Sequence, residues 1–424
     1  MQNWLSGSLN LLQTKLAAEK HCLPGSNVSE TNRRSAKVFQ LLLAIAFSGV
    51  LSGCNSVKIT PSSNELFQDS MFRAPTAKIN PDEVFALSDE MSTYLRKEQV
   101  KSNILRNGLK QGLFKMISNN KSMRIEYDAE MTRNAAQTFS SRSGNCLSLV
   151  ILTAAFAKKL ELQVQFQKVV QDNNWSQSDN LMFAVGHVNV NLSKKATSNI
   201  GSYDGSQPLI VDFMPSENLQ NQKTIPIDEK TILAMYMNNR AAEQLSQNQI
   251  DEAYWYAKEA IKQDPSYLSA YNTLGVVYRR HNNLHQAEQA FREILKYDTN
   301  NLIALANLAE LLQKSGRLEE SLVVTNTLHQ LQPIAPFYYF DLGKKALQND
   351  HPVEAIHLIK KELDRDPYYH EFHLWLALSY IRLGNLNEAK KELALAKENS
   401  ITHSSFDFYS SKMERINASL SNSH

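Results

Sequence analysis

The spacing of hydrophobic and polar residues divides the chain into segments of different structure. In the front part, apolar residues recur every three to four positions, which predicts amphipathic helices at 81–97, 100–117 and 129–140. After a further apolar helix that begins at Cys146, apolar and polar residues alternate, which predicts strands at 162–169, 182–192 and 209–213. Helices followed by a short antiparallel sheet form an α+β domain, which we assign to residues 80–228.

From residue 233 onward the strand pattern disappears and the sequence repeats. Two series of small residues recur every 34 positions: Ala241, Gly275, Ala309, Gly343 and Ala377, and Ala253, Ala287, Ser321, Ala355 and Ala389. Small residues are needed where two helices cross closely, and this period is that of tetratricopeptide repeats. We therefore predict an all-α solenoid of five repeats at 233–400 and a tail at 401–424. The concave face of such a solenoid would hold a protein partner or a peptide substrate.

The overall composition is that of ordinary globular domains. Hydrophobic residues make up 42% of the chain, charged residues 21%, and the formal net charge is +2. This balance gives no indication of nucleic-acid binding or of electrostatic membrane binding. The sequence contains no Gly-rich phosphate loop. His370 and His373 lack a third ligand at metal spacing, and we interpret them as repeat-helix surface. We therefore predict no cofactor and no metal.

A short apolar run at 38–51 follows a basic stretch and predicts export, because it is too short for a membrane span. It ends in Leu51-Ser52-Gly53-Cys54, which resembles the lipobox of bacterial lipoproteins; the alternative is a buried apolar helix. The resemblance implies a signal region at 1–53, with an over-extended start, and lipidation of Cys54.

The sequence after the lipobox implies a destination. Residues 54–79 begin with a Ser/Asn/Pro-rich stretch typical of a tether. Asn55, rather than Asp, follows the cysteine, and the resemblance to bacterial lipoproteins then implies a lipid anchor in the outer membrane. The protein would face the periplasm in the bacterial cell envelope.

Cys146 is the residue around which the front domain is organised. It joins a polar turn to an apolar helix, and a thiol in the first turn feels the positive end of the helix dipole. That position favours a thiolate and hence a nucleophile. The alternative is a small buried hydrophobe, as most free cysteines are. Cys22 and Cys54 lie before or at the predicted processing point, so Cys146 would be the one free thiol of the exported chain.

His187 and Asp212 lie on the second and third predicted strands. In a papain-like site, the cysteine attacks a carbonyl, the histidine later protonates the leaving group, and the acid orients the imidazole. Each residue also has a structural interpretation, His187 as a strand histidine and Asp212 as a cap of the turn before Pro215. Their order on helix, strand and strand favours a triad.

The same region resembles the bacterial transglutaminase-like superfamily, and more closely its lipoprotein members with C-terminal tetratricopeptide repeats. The resemblance rests on Thr132, Arg133, Phe139, the segment 142–148, a loop tryptophan, the segment 186–190 and the first-repeat segment 237–241. It implies a papain-like, transglutaminase-like fold with the triad Cys146, His187 and Asp212. Asn145 and Trp175 are near-site candidates.

The resemblance also implies a function. It indicates a lipid-anchored cysteine hydrolase, that is a peptidase or an amidase, or else an acyltransferase. Either would act on peptide or protein amides through a thioester on Cys146. Gln137 departs from the pattern, because similar sequences have an acid there. The alternative function is a catalytically silent lipoprotein scaffold whose repeats mediate protein–protein assembly.

Overall fold

The computed structural model describes residues 64–118, 125–128, 131–170, 175–178, 181–184, 186–193, 207–213, 223–400 and 403–421. The predicted signal region and the predicted lipidation site, Cys54, lie outside these residues. Within them, an α+β part is followed by helical repeats. In the described ranges, no helix combines the length and the apolar character that a membrane crossing requires.

The front of the α+β part consists of short helices around one buried helix. The α-helices are α1 (Asp89–Arg96), α2 (Glu98–Asn107), α3 (Leu109–Ser118), α4 (Ala135–Ser141) and α5 (Cys146–Lys159). The helix predicted at 81–97 is interrupted: a 3₁₀ turn, Pro81–Glu83, comes first, and Ser88 then caps α1 by accepting the N–H of Met91. Residues 147–157 of α5 are all buried, as expected of a helix that is apolar all round.

A four-stranded antiparallel sheet packs beside α5. Its strands are β3 (Gln163–Val169), β6 (His187–Ser193), β7 (Leu209–Val211) and β8 (Thr224–Ile227). They lie in the order β7-β6-β3-β8. The sequence pattern did not predict β8, whose Pro226 is compatible with an edge strand.

Four short strands complete the α+β part. The segment predicted as one strand at 182–192 is split, because Leu181–Ala184 (β5) pairs instead with Trp175–Ser178 (β4). The strands β1 (Glu126–Tyr127) and β2 (Ser143–Gly144) pair in parallel next to the start of α5.

The predicted all-α solenoid is confirmed. Its helix pairs are α6 (Glu229–Ser246) with α7 (Ile250–Gln263), α8 (Leu268–Arg280) with α9 (Leu284–Tyr297), α10 (Leu302–Lys314) with α11 (Leu318–Leu331), α12 (Tyr338–Gln348) with α13 (Pro352–Leu363), and α14 (His370–Arg382) with α15 (Leu386–Glu398). A Cβ atom on Gly275 would lie 2.5 Å from the ring of Phe291, which explains the small residue there. The predicted tail contains a final helix, α16 (His403–Ser421).

The hydrophobic core is continuous from the α+β part into α10 and is then interrupted. One cluster of buried residues runs from Leu66 to Leu312, whereas Phe337 begins a separate cluster. Between them, α11 buries only Ser321, and its Leu318 and Val323 are 64% and 66% exposed. We call helices α6–α10 the inner repeats and helices α12–α16 the outer repeats.

Residues 64–76, the N-terminal strap, pack on the inner repeats. The ring of Phe72 stacks on Tyr254 with a centroid distance of 3.9 Å, and the Tyr254 hydroxyl donates to Asp69 Oδ1 at 2.6 Å. Lys258 Nζ also donates to the Asp69 carboxylate. This part of the predicted tether at 54–79 is therefore folded against the repeats.

Candidate functional site

The turn before α5 holds Cys146 at the start of the helix. Asn145 is the N-cap, and its Oδ1 accepts the Ser148 N–H at 2.9 Å and the Ser148 hydroxyl at 2.8 Å. A Cβ atom on residue 144 would lie 2.7 Å from Ser148 Cβ, so the turn requires Gly144. Cys146 is free and half-buried, and it lies at the positive end of the α5 dipole.

The sheet brings His187 and Asp212 together. Val190 pairs with Val211, and continuing this antiparallel register by one residue pair sets Asp212 opposite Asn189. His187 is two residues before Asn189 and therefore on the same face of β6. Nε2 of His187 lies 2.7 Å from Asp212 Oδ1, and Asn189 Nδ2 donates to Oδ2 at 3.2 Å. The His187 and Asp212 side chains are only 4% and 2% exposed, so the pair is held away from solvent.

The imidazole of His187 also interacts with Cys146, because α5 packs against β6. Since Asp212 occupies Nε2, this interaction falls to Nδ1, which has no ordinary hydrogen bond among the described residues. In unliganded cysteine sites this contact is often longer than an ordinary hydrogen bond. Burial opposes protonation of His187, but the hydrogen bond to Asp212 and the interaction with Cys146 outweigh it and raise its pKa to about 9.

Tyr127 is a further polar group beside the nucleophile. It pairs with Gly144 in the parallel β1–β2 ladder, and the next residue, Asp128, donates its N–H to the Gly144 carbonyl at 3.1 Å. Arg133 anchors this segment through a 2.8 Å ion pair with Asp128. The phenol interacts with the backbone and the thiol of Cys146; burial first, and then the neighbouring thiol, raise the pKa of Tyr127.

Sequence reasoning missed both Asn189 and Tyr127 as site residues. Asn189 could have been found, because strand periodicity alone places it on the face of His187. Tyr127 gave no comparable signal, because the two-residue strand that carries it is too short for a periodic pattern.

The two near-site candidates, Asn145 and Trp175, lie on different elements. Asn145 caps α5, as described above. Trp175 begins β4 opposite Ala184; its side chain lies outside the described residues, so its role stays a prediction. Gln137 forms a capping box with Asn134, in which each side chain accepts the backbone N–H of the other residue. A glutamate can form the same box, which explains why Gln137 can replace an acid there.

The two histidines of α14 take part in packing between the outer repeats. His373 Nδ1 lies 2.8 Å from Glu392 and its Nε2 3.1 Å from the Pro367 carbonyl, while His370 Nδ1 lies 2.7 Å from the Tyr409 hydroxyl. The interpretation of these residues as helix surface is wrong for His373, which is 6% exposed. In the part of the chain that the structure describes, no group of three potential metal ligands was found.

Comparison with known proteins matches the repeats. Tetratricopeptide-repeat family models match residues 238–301, 272–322 and 346–399. The C-terminal region is a tetratricopeptide-repeat array. The uncharacterized protein ycf37 of Guillardia theta is 35% identical over 109 residues, which are 26% of this chain. The matched region spans 57% of the length of that relative.

Solved repeat proteins are also similar to this region. TTC0263, a thermophilic TPR protein of Thermus thermophilus, is 18% identical, with a TM-score of 0.28, over 42% of this chain and 97% of that protein. YrrB, a TPR protein with an unusual peptide-binding site, is 20% identical, with a TM-score of 0.23, over 42% of this chain and 92% of that protein.

Proposed function

We propose that the protein is a cysteine-dependent acyl-transfer enzyme of the transglutaminase-like, papain-like type whose repeats bind a protein partner or the substrate itself. The observation that supports this most is the buried 2.7 Å contact between Asp212 and Nε2 of His187, which leaves Nδ1 to Cys146 at the start of α5. A nucleophile, a base and a residue that orients the base are the elements of such a site.

In the first step, Cys146 Sγ attacks the carbonyl carbon of a peptide or protein amide. Because the pKa of His187 is about 9, its imidazole carries a proton at neutral pH, and a neighbouring imidazolium generally stabilises a thiolate. The S–C bond forms, the C–N bond breaks, and His187 gives its proton to the leaving amine. Asp212 keeps the imidazole in the tautomer that directs Nδ1 at the sulfur.

In the second step, an acceptor attacks the thioester carbonyl and His187 takes the acceptor's proton. The S–C bond breaks and Cys146 is released. Water as the acceptor gives a carboxylic acid, whereas a primary amine gives a new amide. The product therefore distinguishes hydrolysis from transfer.

Tyr127 is the donor that we assign to the developing oxyanion; the backbone N–H of Cys146 hydrogen-bonds to the phenol oxygen and orients it. Tyr127 lies on β1, which pairs with β2 just before Cys146, and its phenol interacts with Cys146 directly. Preorganised donors at this position stabilise the transition state more than the substrate. The phenol keeps its proton for this role because burial raises the pKa of Tyr127.

The same proposal includes attachment to the cell envelope. The lipobox resemblance supports cleavage before Cys54, a lipid on that cysteine, and residence in the outer membrane facing the periplasm. Mass spectrometry of the chain made in a bacterial host tests this: the N-terminus should be a lipid-modified Cys54, and Cys54→Ser should abolish the modification. An unmodified, uncleaved N-terminus would contradict anchoring without affecting the catalytic proposal.

A second candidate function is a protein scaffold that performs no catalysis. The family-model matches all lie in the repeats, which supports a role in protein–protein interaction. The apolar residues exposed on α11 would suit such a role. In this function, the Cys146 domain would serve only to present the repeats.

Acyl-enzyme trapping separates the two functions. With p-nitrophenyl acetate as the acyl donor, we expect one acetyl group on Cys146, removed by hydroxylamine as a thioester is, and no thioester in Cys146→Ala. Adding a primary amine then shows by product mass whether amide or acetate is released. If Cys146 gains no acetyl group in the native chain, the enzyme proposal is contradicted and the scaffold function is favoured.

A further inference from the structure

We infer that the first tetratricopeptide repeat positions the Cys146 turn through a buried hydrogen-bonded node at Thr132. Thr132 and Glu243 are then positioning residues, and α6 is a structural part of the site. The inference rests on the proposed function, because that function is what makes the Cys146 turn a catalytic element.

Thr132 connects the nucleophile turn to the first repeat. It is 1% exposed. Its Oγ1 accepts hydrogen bonds from Asn145 Nδ2 at 2.8 Å and from Asn239 Nδ2, on α6, at 3.2 Å. One threonine oxygen therefore joins the N-cap of α5 to the first helix of the repeats.

Glu243 of α6 holds Thr132 from the other side. Its Oε1 accepts the Thr132 backbone N–H at 2.6 Å, and the Thr132 side chain also hydrogen-bonds to the carboxylate. Arg240 pairs with the second oxygen, Oε2. A hydroxyl has one proton to donate and two lone pairs that accept. The Thr132 hydroxyl donates to Glu243 and accepts from Asn145 and Asn239, so its hydrogen-bonding capacity is fully used. The orientation of Thr132 is therefore fixed by the repeat.

The node also fixes which way the Asn145 amide faces. Since Nδ2 of Asn145 donates to Thr132, Oδ1 must face Ser148, where it caps the helix that carries Cys146. If the Thr132 oxygen is lost, the Asn145 amide has no buried acceptor for its N–H and the cap loosens. Helix α6 thus acts on the Cys146 turn through two hydrogen bonds in series, Asn239 to Thr132 and Asn145 to Thr132.

The test compares variants of the node in the full chain. Thr132→Val keeps the shape and removes the hydroxyl, Thr132→Ser keeps the hydroxyl, and Glu243→Gln removes the charge. The matched control is Glu310→Gln, because Glu310 forms a similarly short ion pair, 2.6 Å to Arg279, between two helices of the inner repeats. No contact of Glu310 with the Cys146 turn occurs in the described residues.

Two readouts are taken on each variant. Hydrogen exchange at the amides of Ser148 and Leu149 reports the cap, and the rate of Cys146 alkylation by iodoacetamide at pH 7 reports the nucleophile. We expect Thr132→Val and Glu243→Gln to exchange about five- to tenfold faster at both amides and to change the alkylation rate by about as much. Thr132→Ser and Glu310→Gln should behave as wild type. If Thr132→Val does not fold, Asn239→Ala is used in its place, because it removes the hydrogen bond from Asn239 to the Thr132 hydroxyl.

The outcomes separate this inference from the proposed function. If exchange at Ser148 and Leu149 is the same in wild type, Thr132→Val and Glu243→Gln, the positioning role is overturned whatever the reactivity of Cys146. If Cys146 of wild type reacts no faster than in the unfolded chain, the proposed function fails, while the exchange data still decide the positioning role.

Discussion

The inner and outer repeats share one sequence motif but differ in what covers them. The inner repeats belong to the same hydrophobic cluster as α5 and the sheet, and they also bind the N-terminal strap and the Thr132 node. The outer repeats form two clusters of their own, beyond a helix, α11, that buries a single residue. The first set is built into the α+β part, whereas the buried clusters of the second set, among the described residues, contain only side chains from 337 onward.

With such a difference, one repeat array can both complete a neighbouring domain and keep a surface open to a partner. A tetratricopeptide helix that packs against another domain becomes part of that domain, and its surface is no longer available to a partner. The outer repeats and α11 retain exposed apolar side chains, such as Leu322 at 60% and Val353 at 68%. We therefore expect the inner repeats to support the site and the outer repeats to contact the partner.

The largest expected effect is a loss of catalysis, which we expect from a change in the α+β part but not from a matched change in the outer repeats. Asp212→Asn should lower the rate of acyl transfer about 10⁴-fold, because the imidazole would lose its orienting carboxylate. Glu362→Gln is the matched change in the outer repeats, where the buried carboxylate accepts the Phe337 and Tyr339 N–H groups. This control should leave the rate unchanged in a nitrophenolate-release assay. Equal rates for all three chains would contradict the assignment of Asp212.

Core truncation should show where the cooperative units end. Phe291→Ala in the inner repeats and Phe372→Ala in the outer repeats each remove a fully buried ring, at a cost of about 3–5 kcal/mol. Hydrogen exchange should then rise in α5 as well as in the inner repeats for Phe291→Ala, but only within residues 337–421 for Phe372→Ala. Increased exchange of α5 in Phe372→Ala would show that the two regions are one unit.

One contribution to the pH dependence of stability should come from His187 in the α+β part. The pKa of His187 is raised from 6.5 to about 9, so its protonation stabilises the folded state by about 3 kcal/mol. This contribution is complete below about pH 6.5 and is lost as the pH rises to about 9. The free energy of unfolding from urea titrations should show this fall relative to His187→Gln. Parallel curves for the two chains would contradict the raised pKa.

The smallest expected effect concerns the strap. Asp69→Asn weakens the hydrogen bonds from Tyr254 and Lys258 and should cost about 1 kcal/mol, seen as faster exchange in residues 64–76. Asp350→Asn, which removes an exposed pair with Arg382 in the outer repeats, should cause no measurable change. If Asp69→Asn also leaves exchange unchanged, the strap is not held by this contact.

Much of this architecture could be predicted from sequence, because periodicity fixes element type. The 34-residue period indicated the solenoid. The helix and strand pattern indicated that Cys146, His187 and Asp212 could meet, and in the structure His187 interacts with both of the others. The break in the core could not be predicted. Residues such as Leu318 and Leu322 keep the helical period of α11, and periodicity does not reveal which neighbour, if any, covers a face.

The site was predicted less completely than the fold. Thr132 belonged to a recognisable motif, but its partners Asn239 and Glu243 lie more than 100 positions away, and no local pattern encodes such a contact. The short strand that carries Tyr127 and the split of the segment 182–192 depend on pairing partners in the same way. Tertiary contacts decided these features.

We propose that the α+β part and the inner repeats together make Cys146 a reactive nucleophile. The most direct measurement is the rate at which iodoacetamide alkylates Cys146 at pH 7, followed by peptide mass spectrometry so that Cys22 and Cys54 are counted separately. We predict that native wild type reacts at least tenfold faster than the same cysteine in the urea-unfolded chain, and that His187→Ala abolishes the difference. A native rate at or below the unfolded rate would contradict the account.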